Sequence, residues 1–86
     1  MIEIGSFVKS KQGRDKGNIY IVKRVFDDRA ELVDGNGKTL EKPKIKNKKH
    51  LENLNEICEK LKLKFKKQQK VFDAEVYSAI KKFKNE

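Results

Sequence analysis

Residues 13–26, GRDKGNIYIVKRVF, run from a charged loop bracketed by two glycines directly into the strongest strand signal of the chain, Ile19–Phe26, rich in β-branched and aromatic side chains. Gly13 and Gly17 allow left-handed backbone angles, so the loop from Ser10 to Asn18 can reverse and turn consecutive N–H groups outward. Arg14 and Lys16 then project from a fixed turn, and Asp15 between them is placed to accept backbone N–H groups as an Asx-type brace. Such a loop is either an ordinary hairpin connection with solvated charges or a cradle for phosphate. Spacing alone leaves the two readings level.

Working outward, Ile2–Ser10 (IEIGSFVKS) is a short β-leaning segment broken by Gly5, and Ala30–Val33 is a third strand. The tetrad Asp34, Gly35, Asn36, Gly37 signals a hairpin turn. Leu40 opens a fourth strand limited by Pro43, which lacks a ladder donor, and a fifth runs through Lys48–Glu52. Short strands at intervals of roughly ten residues with Gly-bearing turns predict a small closed β-barrel over residues 1–52. On the first strand, alternation sets Ser6, Val8 and Ser10 on one face and Gly5, Phe7 and Lys9 on the other. Phe7 is therefore a landing point outside the barrel interior, with Tyr20 and Val22 as similar candidates on the second strand.

From Asn53 the period changes, and residues 53–86 are expected to be a helical extension packed on the barrel. Leu54, Ile57, Cys58, Leu61 and Phe65 share a helical face, with Asn53 as cap and Glu56 in a capping-box position. Lys60–Lys66 also alternates with period two, but the helical ladder is longer and leaves only Leu63 on the wrong face. A second helix begins at a capping Asp73, with Glu75 in its first turn and Val76, Tyr77, Ile80 and Phe83 as its apolar stripe. The fold class expected is mainly β with α, a small barrel followed by two short helices.

The 86 residues carry a net charge of +9, unevenly spread. Residues 1–41 hold eight basic and seven acidic side chains, whereas residues 42–50 hold five lysines and no acid. A second acid-free stretch, Lys60–Phe72, holds six lysines. Lys42, Lys44, Lys46 and Lys48 recur at every second position, which in extended chain sets them on one face about 6.6–6.8 Å apart, near the interval of successive phosphates. Lys49 and His50 extend this patch. Blocks of this kind attract polyanions, and duplex DNA is not distinguished from RNA by charge.

The segment Ile4–Gly35, IGSFVKSKQGRDKGNIYIVKRVFDDRAELVDG, resembles a KOW motif: an opening apolar-Gly pair, a Gly-x-Asp-x-Gly loop, then an apolar strand. More narrowly it resembles the KOW-bearing large-subunit ribosomal proteins of the fourteen-e type, whose strand, glycine loop, strand and closing Leu32–Gly35 (LVDG) occur in this order. Over its whole length the chain is similar to short bacterial KOW-domain RNA-binding proteins. The resemblance implies an SH3-like β-barrel that contacts structured RNA, with ribosomal RNA of the large subunit as partner and ribosomal proteins as further contacts. The residues expected at the RNA are then Lys9, Lys11, Arg14, Asp15, Lys16, Lys42, Lys44, Lys46, Lys48, Lys49 and His50, with Gly13 and Gly17 shaping the loop backbone. The alternative is an SH3-like adaptor that binds an acidic protein surface.

The seven aromatic residues, Phe7, Tyr20, Phe26, Phe65, Phe72, Tyr77 and Phe83, fall mostly at packing positions, so shape and backbone recognition is expected rather than a stacking row. Catalysis is not expected: the acids lie in turns or at strand ends without a histidine nearby, and no nucleotide-binding, serine-nucleophile or metal motif occurs. The single Cys58 and single His50 build neither a disulfide nor a zinc site, and no cofactor is expected. With no apolar h-region near Met1 and no run of about 18 apolar residues, the expectation is a cytoplasmic protein without a membrane contact.

Overall fold

The computed structural model describes residues 1–85. Five strands, β1 (Ser6–Ser10), β2 (Ile19–Phe26), β3 (Arg29–Val33), β4 (Lys44–Asn47) and β5 (Leu51–Ile57), precede two helices, α1 (Glu59–Lys66) and α2 (Asp73–Phe83). All strand pairs are antiparallel in the order β4-β3-β2-β1-β5, so the class is mainly β with α. No helix among the described residues is long and apolar enough to cross a membrane.

Both faces of the central strands are covered, which explains why IYIV at 19–22 shows no polar alternation. On the inner face, Val8, Tyr20, Val22, Ala30, Leu32 and Leu51 form one cluster. On the outer face, Phe7, Ile21 and Val33 meet Leu61, Val76 and Ile80 of the helices, and Phe83 stacks on Phe7 with ring centroids 4.2 Å apart. Each fully buried aliphatic or aromatic side chain here stabilises the fold by roughly 1.5–3 kcal/mol. Phe7 is thus the landing point expected. Tyr20 and Val22 are not; they face inward, and Ile21 takes the helix-facing role between them.

β4 and β5 are opposite edges of the sheet, yet only the 3-10 turn Lys48–His50 separates them in the chain. The outer strands of a flat five-stranded sheet lie about 19 Å apart, whereas a three-residue 3-10 turn advances only about 6 Å. The sheet must therefore curl over its inner cluster until its edges approach. Among the described residues the ladder stops short of pairing β4 with β5, so the sheet is curled but not closed by hydrogen bonds.

Two expected boundaries move. The helix expected from Asn53 begins at Glu59, because Leu51–Ile57 pairs with β1 and satisfies its otherwise open edge. The boundary at residue 52 therefore falls inside a strand. Helical spacing of Leu54, Ile57 and Cys58 was coincidental: the register slips between Ser6 and Val8, and Asn55, at φ +59, forms an irregularity in which its N–H donates to Asn53 Oδ1. Cys58 sits at the strand–helix junction, half-buried against the outer cluster. The strand expected from Leu40 starts only at Lys44, beyond Pro43, because the Leu40 N–H donates to Asp73 Oδ1 (2.8 Å) and its side chain joins the outer cluster. Asp73 is consequently a tether to the 34–43 segment, and the N-cap position falls on Phe72, whose N–H donates to Glu75 Oε2. Leu63 is exposed, as the helical ladder required.

The helices sit on glycines. Gly5, at φ +90, lies under α1, where an added Cβ would fall 2.7 Å from Lys62 Cβ. Gly35, at φ +76, lies under α2, where a Cβ would collide with the Asp73 carbonyl oxygen and stand 2.7 Å from the Tyr77 nitrogen. Lys64 and Lys60 both reach Glu75, at 2.7 and 3.9 Å, and lock the two helices to each other. Gly35→Ala is expected to destabilise the domain by about 2–4 kcal/mol, since backbone atoms stand in the way and the angle is strained for any L side chain. Gly5→Ala should cost a comparable amount, because the Lys62 Cβ is fixed to the α1 backbone and cannot swing aside, and the left-handed angle is strained there too. Urea unfolding measures both, and amide exchange should localise the Gly35→Ala opening to α2.

Candidate nucleic-acid interface

The glycine loop is built from its own backbone outward. Gly17 N–H donates to Ser10 O (2.9 Å), Asn18 N–H to Asp15 O (2.9 Å) and Lys16 N–H to Gly13 O (3.2 Å), with Gly13 and Gly17 at φ +91 and +93. Lys11, Arg14 and Lys16 project into solvent as expected. Asp15 does not. Its side chain is only 9% exposed and turns inward, where its carboxylate accepts hydrogen bonds from Ser10 Oγ (3.0 Å), Tyr20 OH (2.9 Å) and Lys46 Nζ (2.9 Å), with Lys44 Nζ at 3.7 Å. It is a buried hub rather than a backbone brace or an RNA contact.

The same geometry overturns the expected lysine array. In the β3–β4 ladder Lys44 stands opposite Leu32 and Lys46 opposite Ala30, so both face inward with those residues. Their aliphatic stems cross the rim of the inner cluster and their ammonium groups end on Asp15, a snorkelling arrangement that leaves the Lys46 side chain 12% exposed. The residue between them, Ile45, is the one turned to solvent, at 51% exposure. Lys42 lies before the strand in a turn on Thr39, and Lys48 lies after it in the 3-10 turn, so the four lysines do not form one extended row.

A different surface results. The Lys11 N–H donates to His50 O (2.8 Å), which sets the base of the glycine loop against the 3-10 turn. Residues 9–18 and 44–50 together contain eight lysines and arginines and a single acid, Asp15, already matched by two lysines. Lys11, Arg14, Lys16 and Lys49 are exposed, and Lys9, Lys48 and His50 are half-buried at the margin. Among the described residues none of these lysines or Arg14 makes an ion pair. Glu52, opposite Lys9, and Asp28, held by Asn47 Nδ2 at 3.2 Å, border the patch. The surface can attract and orient a polyanion.

Sequence reasoning missed Tyr20 and Ser10 as members of the hub. A signal existed: a tyrosine inside an apolar strand must bring its hydroxyl to a partner, and the nearest acid in sequence was Asp15. It also placed the aromatics mostly at packing positions, whereas Phe72 and Tyr77 are exposed, with Lys70 and Lys81 over their respective rings.

Burial alone would raise the Asp15 pKa, but the hydrogen bonds from Lys46, Tyr20 and Ser10 and the charge of Lys44 outweigh it and hold the carboxyl well below its ordinary range. Tyr20 is pushed up to about 12, mainly by burial, with Asn18 opposing and the Asp15 charge reinforcing the shift. Asp15→Asn is expected to cost about 2–3 kcal/mol at neutral pH. Because the folded pKa is depressed, this stabilisation is complete above the unfolded value of 3.8 and drains as pH falls toward the folded one. The gap between wild type and Asp15→Asn in urea should therefore narrow below about pH 4. For Tyr20 the raised value works at the other end, with stability lost as pH rises from 10.0 toward about 12. Lys46→Gln should also destabilise, whereas Lys49→Gln on the open surface should stay within about 0.5 kcal/mol of wild type.

Compared with known proteins, the chain matches no protein-family model and no curated protein.

Proposed function

We propose that this chain is a KOW-type, SH3-like barrel that binds structured RNA through the surface formed by its glycine loop and 3-10 turn, with ribosomal RNA of the large subunit as the first candidate. The observation that carries this reading is the Lys11–His50 backbone bond, which merges two basic segments distant in sequence into one surface with its only acid buried and matched. The curled five-stranded sheet, whose edge strands are joined by one 3-10 turn, supports the barrel, and the motif from Ile4 to Gly35 supports the family.

Lys11, Arg14, Lys16, Lys48 and Lys49 are the phosphate ligands. Arg14 can bind a phosphate in two-pronged fashion, and the lysines act as point charges. Lys44 and Lys46 hold the loop in place and are not themselves ligands, and Lys42 is peripheral to the surface. Recognition of the backbone is steered electrostatically and falls with salt.

If about five phosphates are neutralised, log K against log salt should have a slope of roughly −3.5 to −4.5. Replacing Lys11, Arg14, Lys16, Lys48 and Lys49 together with glutamine should flatten that slope and weaken binding to a structured ribosomal RNA fragment by at least about a hundredfold at low salt. Titration by fluorescence anisotropy over a salt series measures both, and sedimentation of the native protein with large ribosomal subunits, released by raised salt, tests the ribosomal assignment. A slope near zero would contradict the electrostatic mode, and association with an acidic protein but with no RNA would favour the adaptor reading instead.

A further inference from the structure

A shallow cleft of about 290 Å³ lies where three segments meet: the end of the glycine loop (Gly17, Asn18), the β3–β4 turn (Asp34, Asn36) and α2 (Tyr77, Lys84). It adjoins the cationic surface directly, since Gly17 and Asn18 continue the loop that carries Lys11, Arg14 and Lys16. The backbone is open on this side; a Cβ at Gly17 would meet no atom within 4 Å. The cleft falls at the lower end of small-molecule pockets, roughly 300–1,000 Å³, and has room for one nucleotide and no more.

Tyr77 is what distinguishes this cleft from an ordinary surface crease. It belongs by spacing to the packed stripe of α2, yet its side chain is 44% exposed while Val76 and Ile80 beside it are buried. Its base is fixed, because the bare Gly35 backbone lies against Tyr77 N and Cβ, so the ring projects from an anchored point. Lys81 Nζ lies over the ring, 5.7 Å from its centroid, and Lys84 lines the same cleft, so an arriving base would stack on the ring face that Lys81 does not cover, with a cation on the other. Asp34 and Asn36 supply polar groups for a base edge. Asp34 itself is held in place by the Asn36 and Lys38 N–H groups, which donate to its Oδ1 at 2.9 and 2.8 Å.

We propose that this cleft receives one unpaired base of the bound RNA, stacked on Tyr77, with Lys84 and Lys16 meeting the flanking phosphates. The inference rests on the RNA-binding function above and narrows its substrate: a structured RNA that presents a bulged or looped-out nucleotide beside a helix. Paired bases cannot enter, since their faces are already stacked within the helix. The helical extension thus contributes directly to the interface.

The test compares two RNA hairpins of equal stem length at fixed salt by fluorescence anisotropy, one fully paired and one carrying a single unpaired adenosine in the stem. The bulged hairpin should bind about tenfold tighter. Tyr77→Ala should remove that preference and leave affinity for the paired hairpin unchanged, while Tyr77→Phe should keep it. The alanine variant retains the Cβ that faces Gly35, and its thermal melt, equal to wild type, confirms that the fold is intact. Equal affinity for the two hairpins with the salt slope retained, or a preference that survives in Tyr77→Ala, overturns the cleft assignment and leaves the RNA-binding function standing. Failure of the wild-type protein to bind either hairpin overturns both.

Discussion

The Asp15 carboxylate, with Ser10, Tyr20, Lys44 and Lys46 converging on it, is the interaction on which the rest of the molecule depends. It joins three pieces that no ladder hydrogen bond unites: the glycine loop, the inner end of β2 and the edge strand β4. A curled sheet that stops short of closure has an open mouth, and an open mouth exposes both unpaired edge groups and the inner apolar cluster. Here the lysine stems cover the apolar rim and the charges meet over it. A buried carboxylate is costly by itself, but with three hydrogen bonds and a second ammonium nearby its charge is fully answered, and removing any one member leaves the others uncompensated. The loop is therefore held in place for the same reason that the mouth of the curled sheet is covered.

The outer face follows a different logic, one of close approach. Gly5 and Gly35 carry no side chain where α1 and α2 descend, so each helix comes down onto bare backbone. The apolar stripe of α2 can then bury Val76 and Ile80 against Ile21 and Val33, and Phe83 can stack on Phe7. Asp73 and Glu75 complete the docking by accepting from Leu40 N–H and from Lys64. Two helices of eight and eleven residues would be marginal alone in water. They are stable here because tertiary burial, not propensity, supplies the driving force. The glycine of the LVDG segment thus has a structural reason in this chain: it is the floor on which α2 rests.

Sequence reading recovered the elements whose signal is local. β2 was legible to the residue, because six of its eight residues are β-branched or aromatic and the run is punctuated by Gly17–Asn18 before it and Asp27 after it. Phe7 was legible from alternation alone. The failures share one cause, a dependence on partners distant in the chain. Asn53–Ile57 has the pattern of a helix start and is strand because β1 offers an edge more than forty residues earlier in sequence. Leu40 leaves the ladder because Asp73 takes its N–H. At the site, the exposed cations Lys11, Arg14 and Lys16 were legible from the loop that carries them. The fate of Lys44 and Lys46 was not, because which face of a strand looks inward depends on how the sheet curls, and period-two lysines on an edge strand look the same in either case.

That ambiguity bears on how a basic surface is judged. Net charge counts every lysine alike, but a lysine paired with a buried carboxylate cannot leave it for a phosphate without exposing that carboxylate's uncompensated charge. Two of the cations in the richest basic block are therefore committed to the fold. On the proposed RNA-binding reading their commitment also serves the ligand: an unmatched acid in the middle of the loop would repel a phosphate, and matching it with two ammonium groups reverses the sign of the local field. The glycine loop can thus contain an aspartate and still present a positive surface. The aspartate supplies the rigidity, the inward lysines neutralise it, and the outward residues Lys11, Arg14 and Lys16 are left free to meet a polyanion from a backbone that does not have to be ordered on binding.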